Sequence, residues 1–393
     1  MTELELQPEP RAPAYIGSVR LNGAEVDLDR VLASVIIRHG RDSVDGGIQS
    51  STASLVLRNL SRAELADWEV GGDLQISDLA GAPLFTGRLS DSELDDDAAN
   101  LEATLAANAS STLARAGSRE VGGHAWPAEP WAARMARILS EAGLTGVVQP
   151  RSPDVPIAAT VPDEGGGFSS TNALDALDAS RNDVGATVFD DVDGSIVCQA
   201  YEGRLELYPL LSLDPDLVLF SPPWSQTLDV ANRIVLGYGY GAGSVTVDDS
   251  ASQAKFGVHW TGLFDSGLAD SATALSRASF WLTRLSWPRW ALPGVTLLEP
   301  QPLQIGMMVE LVDLPDSAPF GNWTAMVEGW VDTIEGSSWT QDLILSDPLL
   351  SGLSLLWRDV PATLHWLEVN PACEWRDAFN LGNLLPETRL TLA

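Results

Sequence analysis

Between Tyr15 and Ser110 the chain keeps returning to one pattern: short runs in which every second residue is apolar, separated by turn residues. Ser54-Leu55-Val56-Leu57-Arg58 sets Leu55 and Leu57 on one face with Ser54 and Arg58 on the other, and Leu101-Glu102-Ala103-Thr104-Leu105 alternates in the same way. A period of two is the strand period, and a strand with one wet face belongs to an antiparallel sheet. Leu74 to Asp78 and Leu84 to Leu89 flank the short connection Leu79-Ala80-Gly81-Ala82-Pro83, the arrangement of a hairpin. Asp45-Gly46-Gly47 and Asp95-Asp96-Asp97 fall where turns are expected. Short strands at turn spacings of about 8–12 residues predict a small barrel or sandwich.

The pattern breaks near residue 113. Pro130 suits a first helical position, and Trp131, Met135, Ile138, Leu139 and Ala142 recur at helical spacing up to Gly143. A loop rich in Pro and Gly follows. Ser169, Ser170 or Thr171 then caps a second helix carrying Ala173, Leu174 and Leu177. Val192-Asp193-Gly194-Ser195, between two apolar runs, signals a hairpin through its Asp-Gly. Strand character returns from about Tyr201, in Asn232 to Gly239 and Ser244 to Val247. One more helix is expected, capped by Asp270 or Ser271, with Leu275, Ala278, Leu282 and Leu285 as its buried stripe and Pro288 beyond its end. Further strands run from Gly294 to Asp347.

The fold class expected is therefore mainly β (α+β): two small β-barrel tube-like domains, an inserted α/β domain and an extended C-terminal arm. Residues 1–13 form a flexible N-terminal arm and 14–112 the first part of the first barrel. The insert spans 113–200, 201–247 return to the first barrel, 248–350 make the second barrel with one helix, and 351–393 make a docking arm.

Charge narrows the function. The chain has 54 acidic against 23 basic residues, a formal net charge of -31, and Lys255 is its single lysine. Such a surface repels phosphate, which disfavours general nucleic-acid binding and adhesion to anionic membranes. A phosphate-binding loop ending in Gly-Lys-Ser/Thr is absent. Cys198 and Cys373 lie far apart, so neither a disulfide framework nor a cysteine-based zinc site is expected. Met1 to Pro13 lacks the basic and apolar regions of a signal peptide, and no run of about 18 apolar residues offers a membrane segment. Synthesis in a reducing cytoplasm is the expectation.

Signals for chemistry are weak. His39, His124, His259 and His365 stand singly, without metal-ligand spacing, and no GxSxG elbow is present. Asp190-Asp191-Val192-Asp193-Gly194-Ser195 resembles part of a calcium loop but lacks the closing Glu; a hairpin turn is the better reading. Abundant carboxylates always allow a glycosidase-like pair to be imagined. No catalytic residue, cofactor site or metal site is assigned. Of the 14 tryptophans, Trp281, Trp287, Trp290, Trp323, Trp330 and Trp339 fall in or beside helix and strands, where burial in a core or interface is expected. Trp357, Trp366 and Trp375 in the tail are the candidates for partner contact.

A family resemblance rests on ordered blocks. Val35-Ile36-Ile37-Arg38-His39-Gly40-Arg41-Asp42 with Ala53 to Asn59 resembles the opening of minor tail proteins from long-tailed phages of high-GC actinobacteria. So do Leu84-Phe85-Thr86-Gly87-Arg88-Leu89-Ser90-Asp91 and Asn232-Arg233-Ile234 with Gly237-Tyr238-Gly239. The helix at 272–285 followed by Pro288-Arg289-Trp290 fits too, as does Val327-Glu328-Gly329 with Trp339 and Leu343 to Pro348. The blocks span most of 15–350, and their order matches a baseplate hub.

The resemblance implies a structural virion protein at the tail tip, a homotrimer whose six barrels form a ring that continues the tail tube. It implies contacts with the tail tube or distal tail protein, the tape-measure protein and a central spike or fibre. DNA passes the ring without specific binding, and acidic side chains are expected to line the lumen. The alternatives are a distal-tail or adhesin-carrying protein that binds host glycans, a cell-wall glycosidase, and a non-viral contractile injection device built on the same hub.

Overall fold

The computed structural model describes residues 15–347 apart from 29–30, 43–46, 59, 98–101, 151–153, 163–165, 201–210, 220–223, 227–229, 265, 293, 315, 317 and 320. The expected arms at 1–13 and 351–393 lie outside the described residues, and Trp357, Trp366 and Trp375 with them.

The protein is mainly β, organised around one long sheet and a helical layer. Six strands make the first β region: β1 (Ile16–Leu21), β2 (Val31–Gly40), β3 (Thr52–Arg58), β4 (Asp73–Asp78), β5 (Pro83–Asp97) and β6 (Glu102–Ser110). Six more make the second: β7 (Leu211–Leu213), β8 (Val218–Leu219), β9 (Val295–Leu297), β10 (Met308–Leu311), β11 (Trp323–Glu335) and β12 (Ser338–Ser346). In space the first runs β1-β4-β5-β6-β3-β2 and the second β7-β10-β11-β12-β9-β8. The second region thus repeats the first strand for strand. All neighbours within each region are antiparallel except β7, which enters parallel to β10.

Even the irregularity recurs: a bulge falls between Leu89 and Asp91 in β5 and between Val327 and Gly329 in β11. Antiparallel pairing of β2 with β11 joins the two regions, and the small strand Ala24–Val26 extends the first edge beside β1. Among the described residues the strand path stays open, from Ala24–Val26 to β8.

Each region keeps its own core. Val19, Ile37, Leu55, Leu57, Leu74, Ile76, Phe85 and Leu89 fill the first, and Ile334 reaches into it from β11. Val295, Leu297, Val309, Leu311, Val327, Trp330 and Leu343 fill the second. Buried residues alternate along each strand, as the sequence pattern requires.

The third core is helical. α2 (Trp131–Glu141) and α3 (Ala173–Val184) pack with the sheet formed by Gly146–Gln149, Ile196–Gln199 and Thr187–Asp190. Trp131, Met135, Ile138, Leu139 and Ala142 are all buried, on the stripe expected from their spacing. Asn172 caps α3, one residue past the expected Ser/Thr cluster, and Gly185 ends it with φ 64. The Asp-Gly hairpin forms between Thr187–Asp190 and Ile196–Gln199, with Gly194 at φ 83.

Several expectations need correction. Arg233–Tyr238 and Gly243–Asp248, expected to return to the first barrel, pair instead with Trp260–Leu263 in a separate three-stranded sheet. Ile234 and Leu236 share the helical core with Ala274 and Ala278 of α5 (Ser271–Leu285), while the edge of the first region at β2 is already taken by β11. Alternation shows which face of a strand is buried, not which sheet receives it.

The stretch from 248 carries two helices where one was expected, because Asp249 caps α4 (Ser250–Phe256). On α5 the buried stripe is Ala274, Arg277 and Ala278, whereas Leu275 is 48% exposed. Asp95-Asp96-Asp97 ends β5 instead of forming a turn. A further helix, α1 (Arg62–Asp67), starts in a capping box between Ser61 and Glu64. No helix is long and apolar enough to cross a membrane among the described residues.

Candidate assembly site

The joint between the β regions is the most heavily engineered contact in the molecule. Antiparallel register runs from Gly40 opposite Gly329 to Ser34 opposite Glu335. The two glycines are there for space. A side-chain carbon on Gly40 would lie 2.3 Å from the Glu328 carbonyl oxygen, and one on Gly329 would lie 2.5 Å from that of His39. Gly40 also sits at φ 73, where a side chain is strained.

Beside the glycines lies a buried ion pair. Arg41 donates from Nε and Nη2 to one Glu328 oxygen at 2.8 and 2.6 Å, and Ser346 donates to the other at 2.6 Å. The Arg41 backbone N–H also donates to the Glu328 carbonyl. Glu328 is wholly buried and Arg41 nearly so. Such charges are tolerable inside only when fully paired and hydrogen-bonded, as they are here.

Next along the joint, Asp332 accepts hydrogen bonds from the indoles of Trp330 and Trp339, both at 2.8 Å, and from the Gln341 amide at 3.0 Å. Burial pushes its carboxyl above the usual range, and these three donors pull the other way. His39 stacks on Trp330 with ring centroids 4.6 Å apart, and burial lowers its pKa to about 4. At neutral pH the imidazole is uncharged and shielded from solvent, so it serves packing.

A second carboxylate ties the insert to the first region. Asp190 accepts from the backbone N–H groups of Leu113 and Ser51 at 2.9 and 3.3 Å and from the Ser111 hydroxyl. Burial raises its pKa to about 6. Its neighbours Asp191 and Asp193 cap backbone N–H groups of the hairpin turn. The segment that resembles part of a calcium loop is thus built as a turn, and no group of three or more His, Cys, Asp or Glu is placed to hold a metal among the described residues.

Two cavities complete the survey. One of about 260 Å³ in the helical layer is lined by Trp126, Phe168, Ile138 and Arg134. Arg134 is committed there to Glu129, Tyr240 and the carbonyls of Pro127 and Ala158. The other, about 330 Å³, lies between the first region and the start of the insert and is lined by Arg20, Arg88 and Arg115. Of the remaining single residues, His124 is exposed beside Glu141, His259 bonds the Phe256 carbonyl, and burial pushes the Cys198 thiol up to about 12. Trp323 and Trp330 are buried as expected, but Trp287 and Trp290 are 40% and 38% exposed.

No protein-family model and no curated protein matches the chain by sequence. Solved structures match its fold. The tail protein from Neisseria meningitidis MC58 superposes with a TM-score of 0.62 at 12% identity, over 86% of this chain and 98% of that one. The 43 kDa tail protein of prophage MuSo2 from Shewanella oneidensis gives 0.58 at 12% identity, over 86% and 99%. An E. coli component of the type VI secretion system, itself described as similar to T4 phage tail proteins, gives 0.52 at 9% identity, over 84% and 76%. The chain has the fold of phage tail proteins, in agreement with the resemblance carried by its sequence blocks.

Proposed function

We propose that this protein is a structural subunit of a phage tail tip, a hub in which three copies set six β regions around a channel that continues the tail tube. The observation that carries the reading is the β2–β11 joint. Two β regions of the same strand order meet there edge to edge, so a single chain supplies two successive segments of a ring. The shared fold with phage tail proteins supports it. On this reading each region curves as a small barrel and the helical layer decorates the ring. The tail tube or distal tail protein, the tape-measure protein and a central spike or fibre are the partners, and DNA passes without being held. The role is one of assembly, with no catalytic step. Trp357, Trp366 and Trp375 remain the proposed partner contacts of the tail.

The mass of the isolated full chain, together with imaging of particles that contain it, tests the reading. A threefold ring at the tail tip is expected; a chain that stays monomeric and sits elsewhere in the particle overturns it. The fold shared with a type VI secretion component supports a second reading, a non-viral injection device. Co-purification with contractile-sheath particles that lack a DNA-filled head would favour it.

A further inference from the structure

The repeat between the two β regions leaves one place filled in one copy and open in the other. β5 and β11 correspond: both are long, both bulge once, and both pair through their first half with the preceding strand, β4 or β10. Beyond the bulge they differ. In β11 the outer side, Gly329–Glu335, is taken by β2. In β5 the same side, from Asp91 to Asp97, has no strand partner among the described residues, and the ladder there is with β6 alone.

The side chains agree. With the bulges aligned, Ser92 and Leu94 stand where β11 has Trp330 and Asp332. Leu94 lies opposite Leu105, which is 5% exposed in the first core, yet Leu94 is 52% exposed. Its counterpart Asp332, covered by β2, is 2% exposed. Asp91 and Glu93 alternate onto the other face, where Asp91 accepts from Asn108. The core-side face of the open edge is therefore uncharged at Ser92 and Leu94, and a strand laid there buries no carboxylate at those positions. At the far end of the sheet, β8 flanks β9 as β2 flanks β3. The outer side of β8 has no partner among the described residues, and Leu219 is 52% exposed.

We infer that β5 beyond its bulge receives the outer edge of the second β region of another copy of this chain, with β8 set against β5 as β2 is set against β11. The inference rests on the hub reading and adds which edges meet. The two edges are different, so the contact is head-to-tail and repeats from copy to copy until it closes. Main-chain pairing supplies its directionality, and the covering of Leu94 its apolar contact.

Full-length chain carrying Leu94→Cys and Leu219→Cys, treated with a short bifunctional thiol reagent, tests the geometry. A covalent ladder ending at the trimer is expected. Either single variant should cross-link no more than the parent, whose Cys198 and Cys373 set the background. Leu94→Asp should weaken association about tenfold or more, as loss of a covered apolar contact does. Glu93→Gln, on the wet face, should leave it unchanged. Trimers that form without the Leu94–Leu219 bridge, or that tolerate Leu94→Asp, overturn the edge assignment and leave the hub reading standing. A chain that stays monomeric throughout takes both down. Amides of residues 91–97 already protected from hydrogen exchange in the dilute monomer would assign the edge to a segment of the same chain and overturn the inference.

Discussion

Arg41 and Glu328 concentrate the energetics of the joint in one pair of atoms. Removing one partner strands the other charge in the interior, so Arg41→Ala should cost about 3–5 kcal/mol in a denaturant melt. The double variant Arg41→Met with Glu328→Leu should recover most of that loss, because it removes both desolvation penalties together. Gly40→Ala should also destabilise, by about 1–3 kcal/mol, since it adds a methyl against the Glu328 carbonyl at a positive φ. The pH dependence has two opposed contributions. His39 titrates at about 4 in the fold against 6.5 when unfolded, so the unfolded chain takes the proton first and stability falls as pH drops from about 6.5 to about 4. Asp183 and Asp190, raised from 3.8 to about 6, act the other way: their contribution is full below 3.8 and is lost as pH rises through about 6. His39→Gln should therefore flatten the acid side of the stability profile by up to one proton between those limits, read from melts at stepped pH.

Elements differ in how openly the sequence announces them. Strands β3 and β6, the helix α2 and the Asp-Gly hairpin follow from periodicity and turn residues alone. The signal for α1 is also present, a Ser-x-x-Glu at Ser61 and Glu64, and the structure closes both capping hydrogen bonds. Ser61→Ala should cost about 1 kcal/mol, seen as faster exchange of the first-turn amides of α1. Other features were not legible for physical reasons. The acidic run Asp95-Asp96-Asp97 reads as a turn by composition, yet charge is also what a strand at a sheet edge carries. Leu275 fits a helical stripe, but Arg277 takes the buried position by laying its guanidinium on the Phe280 and Trp281 rings, 4.4 and 4.5 Å from their centroids. The joint itself is invisible locally: Gly40 and Gly329 look like ordinary glycines until the strands that carry them meet.

At the scale of the whole molecule, the net charge of -31 and the ring reading make a joint prediction. Asp91 and Glu93 stand on the wet face of the sheet, and neutralising them to Asn and Gln in assembled particles should slow DNA release at low salt and have little effect at high salt. The β2–β11 joint also carries a consequence for synthesis. Arg41 and Glu328 are 287 residues apart in the chain. At about 5–20 residues per second, β2 leaves the ribosome roughly 15–60 s before the strand that covers it. For that interval Val35-Ile36-Ile37 lies along an unpaired edge. The window in which nascent chains can pair with one another, rather than with themselves, is thus set by the length of the segment between the two β regions.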